Sequence, residues 1–119
     1  MIPADYTSFD SDIQDAIRYV NGATDEAAED AYLALEAMAL SHVGEGLRIL
    51  EAIAAGVDVD ALGSFGAGIF ESLLGCCEPN EFDQVVDTIV GNTRLLTALR
   101  SVRSLALPSD LALRLAPLL

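Results

Sequence analysis

Cys76 and Cys77 stand side by side at the end of ALGSFGAGIFESLLGCC, residues 61–77, a stretch that also holds Gly63, Gly66, Gly68 and Gly75. Three kinds of chemistry use such residues. Spaced glycines can cradle a phosphate, a thiol pair can hold a metal or cycle between redox states, and a lone histidine, here His42, can serve as a general base. Each needs partners that the spacing has to provide. A nucleotide loop calls for G-x-G-x-x-G after a strand or for G-x-x-x-x-G-K-[ST], and the chain has neither pattern and no lysine. A metal centre calls for three or four ligands, against two adjacent cysteines and one histidine, and the redox spacing C-x-x-C is missing. His42 beside Ser41 and Glu45 defines neither a nucleophile nor an oriented base. The plainer assignments are two core cysteines, a histidine at a helix end, and a helix whose small residues Ser64, Gly68 and Ser72 recur every four positions so that another helix can lie close. No metal and no cofactor is expected, and the chain reads as non-enzymatic.

Carboxylates form the remaining constellation. Asp12, Asp15, Asp25, Glu26, Glu29, Asp30 and Glu36 crowd the first third of the chain. Such a cluster either keeps an apolar domain in solution or docks a basic protein, since clustered charge speeds association and selects the sign of the partner. In all, 19 Asp and Glu face six arginines, for a formal net charge of −13. That balance disfavours nucleic acid, whose binding depends on many cations meeting phosphates. It is also uneven: residues 1–60 hold 13 acids against Arg18 and Arg48, whereas residues 61–119 hold six against Arg94, Arg100, Arg103 and Arg114. These four arginines are expected to pair with acids or to cap helix ends.

The elements that must position these groups follow from periodicity. At 119 residues, with 52% hydrophobic but only 6% aromatic residues, the chain suits one helical domain with a core of Ala, Leu, Val and Ile. Residues 1–7 read as an irregular lead-in, with Thr7 or Ser8 capping a helix that carries Phe9, Ile13, Ala16, Ile17 and Val20 on one face up to Asn21-Gly22. Thr24 is expected to cap a second helix reaching about residue 42, with Ala28, Ala31, Leu35, Met38 and Ala39 inward. Leu47, Leu50, Ile53 and Ala54 belong to a third helix or to a kinked continuation, because Gly44 and Gly46 interrupt the pattern. Asp60 is then the cap for 61–77, where Leu62, Phe65, Ile69, Leu73 and Cys76 share a side. Pro79 opens the next helix, and Asn92 or Thr93 caps the one over 93–103. Pro108 breaks the chain before a short turn capped by Ser109. The expectation is all-α: about six helices in stacked antiparallel hairpins, forming a bundle or a short solenoid-like stack over 1–119.

The segments GAGIFESLL, residues 66–74, and FDQVVDTIVGNTRLLTALRSVR, residues 82–103, resemble a family of small uncharacterised bacterial helical domains. Its core motif is Gly-x-Gly-Pro-(Leu/Ile)-Glu-Asp-Leu-Leu, followed by Phe-(Ile)-Asp and a closing run of Arg, Leu and Trp. Ile69 stands in the place of Pro, Ser72 replaces Asp, and the Trp is missing. The resemblance implies a helical fold without an assigned reaction. It directs attention to Glu71, the one charge in 61–77, as a buried polar site, with pairing to an arginine as the favoured reading.

Absence of a basic region followed by an apolar run leads us to expect a protein that keeps its N-terminus, and 61–77 is too short and too glycine-broken to cross a membrane. Adjacent cysteines suit a reducing cytoplasm. The function expected from these residues is an acidic interaction domain for a basic protein partner, such as an immunity or antitoxin-like inhibitor. The alternative is an assembly module, a homodimer for example, that self-associates through the apolar tail LALPSDLALRLAPLL.

Overall fold

Ile13, Ala16 and Ile17 recur at helical spacing and are buried together on α1 (Ile2–Val20). The computed structural model describes residues 2–119, with the side chains of 11–103 and 105–119. Phe9, assigned to the same face, lies outside the described side chains. The irregular lead-in expected over 1–7 is corrected, since α1 is helical from Ile2. Pro3 falls in the first turn, where the missing N–H of proline removes no helical bond.

Asn21-Gly22 closes α1 as expected, with Gly22 at φ +113°, a left-handed backbone that only glycine adopts freely. Asn21 also reaches across the fold: its Oδ1 accepts the Asp58 N–H at 2.8 Å. The cap of α2 (Glu26–Ser41) is Asp25 rather than Thr24, with its carboxylate accepting the Ala28 N–H at 3.2 Å. Glu26 and Glu29 in the first turn complement the positive end of the helix dipole. Ala28, Ala31, Tyr32, Leu35 and Ala39 are buried, whereas Met38 is 46% exposed, so its inward assignment is corrected in favour of Tyr32.

Extended backbone at His42 (φ −145°, ψ 118°) separates α2 from α3 (Val43–Gly56). The third helix is therefore independent and not a kinked continuation. It buries Leu47, Ile49, Leu50, Ile53 and Ala54 against the first two. Its C-terminal carbonyls find a distant donor: the Arg94 guanidinium donates to the oxygens of Ala54 and Val57. Cations favour this end of a helix.

The stretch 62–75 is helical but broken. α4 (Leu62–Phe65), a wide π-type turn over Gly66–Phe70 and α5 (Glu71–Gly75) follow one another, and Gly68 has non-helical angles of φ −104° and ψ −114°. No side chain caps α4, so Asp60 does not have the capping role expected of it. The break leaves backbone groups without the usual ladder. Tyr32 fills it, its hydroxyl accepting the Ile69 N–H at 2.8 Å.

α6 (Phe82–Val90) and α7 (Thr93–Leu99) form a hairpin, and Asn92 caps α7 by accepting the N–H groups of Arg94 and Leu95, each at 3.1 Å. α8 (Ser109–Leu115) starts after Pro108, with no side-chain capping bond from Ser109. Leu111 and Leu115 are buried, so part of the apolar tail belongs to the core of its own chain. The molecule is an all-α bundle of seven helices among the described residues when 62–75 counts as one broken rod. That rod is central: Phe65, Ile69, Phe70, Leu73 and Leu74 are buried between α2 on one side and α7 on the other.

Candidate functional site

Glu71 is held in the first turn of α5, where helical spacing turns it away from Ser72 and toward the segment after α7. Its side chain is 11% exposed and binds Arg103 twice over: Oε1 accepts the Arg103 backbone N–H at 2.9 Å, and Oε2 accepts from Nη2 at 2.9 Å. The Arg103 guanidinium and backbone N–H together hold the carboxyl below its ordinary value of 4.5, against the opposing effect of burial. Glu71 is thus tied to a backbone group as well as to a charge, and it fixes the segment after α7 onto α5.

The sign of the pH dependence follows. A carboxyl whose folded value is depressed stabilises the fold above its unfolded value and loses that contribution as the pH falls through the folded one. Glu71→Gln is expected to be less stable than the parent at pH 7, and the two urea midpoints should converge below about pH 4.5. Because the Arg103 end stands in water, the ionic part is screened. Equal midpoints at pH 7 would show that the staple adds nothing.

The acids of α1 and α2 divide into three sets. Arg18 ties Asp15 at 3.2 Å to Asp25 at 3.0 Å, closing the α1–α2 corner. The Arg18 hydrogen bonds depress the Asp25 carboxyl despite some desolvation. Asp12 is half-buried on α1, and Glu36 is half-buried on α2 near Tyr32. Glu26, Glu29 and Asp30 are exposed, and α2 contains no cation. Three of the four late arginines go elsewhere than to these acids, Arg94 to α3, Arg103 to Glu71 and Arg114 to Asp83, and Arg100 is exposed with no ion pair among the described residues.

Chemistry-bearing residues are dispersed. Cys76 is exposed and only Cys77 is core, so the expected burial of both is corrected. Burial pushes the Cys77 thiol up to about 12, and its Sγ donates to the Leu73 oxygen at 3.3 Å. His42 is exposed at the α2–α3 junction. Among the described residues, no group of three or more His, Cys, Asp and Glu is arranged to hold a metal ion. An open groove of about 420 Å³ runs past Val20, Gly22, Asp58, Asp60 and Ser64, away from both Glu71 and His42.

The small-residue strip is also redrawn. Ser64 is exposed, and the close approaches fall at Gly66 against the Ala98 carbonyl and at Gly68 against the Tyr32 hydroxyl. Spacing pointed to Gly68 but not to its partner. Sequence reasoning missed Tyr32, and it missed the exposed Leu33, Met38 and Leu40. The signal for those three was the apolar run AYLALEAMAL, which is richer than a single inward stripe needs.

Comparison of the chain with protein-family models, with curated proteins and with solved structures finds no match. Among the described residues, no helix is long and apolar enough to cross a membrane.

Proposed function

We propose that this chain is an acidic, non-enzymatic interaction domain of the cytoplasm that binds a basic protein partner, in the manner of an immunity or antitoxin-like inhibitor occluding a cationic cleft. The observation that carries the reading is the exposed trio Glu26, Glu29 and Asp30, which no cation on α2 offsets. Asp15 and Asp25 are engaged by Arg18 and Asp12 and Glu36 are half-buried, so the trio is the exposed, unpaired part of the cluster among the described residues. Clustered exposed charge accelerates association with an opposite surface and loses that effect as salt rises. The bacterial family with the Gly-x-Gly motif around Glu71 stands as its proposed relatives.

Calorimetry with the purified basic product of an adjoining gene tests the reading. Complex formation should weaken about tenfold when Glu26, Glu29 and Asp30 become Gln, Gln and Asn together, and the salt dependence should flatten. No complex at low salt would overturn it. A second reading, self-association through the tail, is favoured by Leu105, Leu113 and Leu119, which are exposed although Leu111 and Leu115 pack internally. Light scattering that finds a monomer at every concentration removes this second reading.

A further inference from the structure

Helical periodicity puts Glu26, Asp30, Leu33, Ala37 and Leu40 along one line of α2, opposite the buried Ala28, Ala31, Leu35 and Ala39. That outward line changes character half-way. Its first two turns are acidic, while beyond Asp30 it is apolar, with Leu33 51% and Leu40 39% exposed two turns apart and Ala37 between them; Met38, 46% exposed, lies on a different side of the helix, next to the buried Ala31. A solvated face would not need two leucines and an alanine aligned along one line over two turns, and single exposed leucines are ordinary only when scattered.

We propose that the outward face of α2 docks an amphipathic helix of the basic partner, with the partner's apolar stripe over Leu33, Ala37 and Leu40 and its cations over Glu26, Glu29 and Asp30. The inference rests on the acidic-interaction reading and adds the form of the partner. Sixteen residues of α2 span about 24 Å, enough for a helix of four turns to lie along them. Cations are favoured in the last turn of a helix, and placing that turn over the start of α2 makes the two helices antiparallel with opposed dipoles. A second copy fits worse. Two α2 faces paired in parallel superpose their acids, paired antiparallel they set acids on leucines, and each copy brings a net charge of −13.

Two labelled peptides of identical composition, each about as long as α2, test this by fluorescence anisotropy. One is a Leu/Ala/Arg helix with an apolar stripe and its arginines in the last two turns, and the other is its scramble. The patterned peptide should bind at least about tenfold more tightly, and the double variant Leu33→Ser/Leu40→Ser should abolish that advantage. All five substituted positions are exposed, so folding is spared. Equal binding of both peptides, weakened when the acid trio is neutralised, overturns the helix inference and leaves the acidic reading standing. A preference that persists after neutralisation and in high salt overturns the acidic reading and the charge placement built on it. Self-association of the protein that the double variant removes makes a second copy the occupant and overturns the proposal.

Discussion

Gly66→Ala is expected to destabilise the protein by about 3 kcal/mol, at the upper end of what overpacking a close contact costs. A Cβ on Gly66 would stand 2.1 Å from the Ala98 carbonyl oxygen and 3.0 Å from its carbon. Neither atom belongs to a side chain that could swing aside. The broken rod and α7 would have to separate along their length, loosening Phe65, Leu95 and Leu99, all buried at or beside this junction. An opposing gain of about 0.5–1 kcal/mol comes from replacing glycine by alanine in a helical stretch, and the clash outweighs it. Gly44→Ala supplies the control, since its Cβ would meet only the Gln84 Nε2 at 3.7 Å. Urea unfolding of both variants measures the difference; equal midpoints would mean that α7 yields without resistance.

Tyr32→Ala should be more severe, at about 4 kcal/mol, the scale of deleting a buried aromatic ring. The ring packs on Tyr19 with centroids 4.8 Å apart, and its hydroxyl closes the break at Gly68. Tyr32→Phe separates the two contributions. It keeps the ring and leaves the Ile69 N–H buried without an acceptor, which costs about 1–3 kcal/mol. The hydroxyl has a further consequence at high pH. Burial pushes it up to about 12 from its ordinary 10.0, although the Ile69 N–H opposes the shift. A raised folded value stabilises the protein below the unfolded one, so the contribution is complete below pH 10 and disappears as the pH climbs through about 12. Tyr32→Phe should therefore converge on the parent in stability over that window, and a gap unchanged to pH 12 would remove Tyr32 from the account.

Both results depend on contacts between segments far apart in the chain, and so does the assignment of the acidic cluster. Asp25 was legible as an acid near a helix start. Its actual work, capping α2 while bonding Arg18, required the α1–α2 corner to form. Thr24 is a competent cap by type, but Arg18 holds the carboxylate one residue later, and the pair of roles favours Asp25. Glu71 was marked by its isolation in an apolar stretch. That Arg103 is its partner, 32 residues on, follows only from the turn after α7.

Local spacing was enough for the helical class, the inward faces of α1 and α3, the Asn21-Gly22 stop and a cap at Asn92 or Thr93, because each depends on interactions within about one helical turn or on the 3.6-residue period. The tertiary structure alone decided the break at Gly68, the contact at Gly66, which cysteine is core and which leucines of α2 face outward. A helix more apolar than its buried stripe requires offers several ways to be seated, and the choice is made by what packs against it. Here Tyr32 turns inward to reach Ile69, 37 residues away, and that rotation sets Leu33 and Leu40 outside.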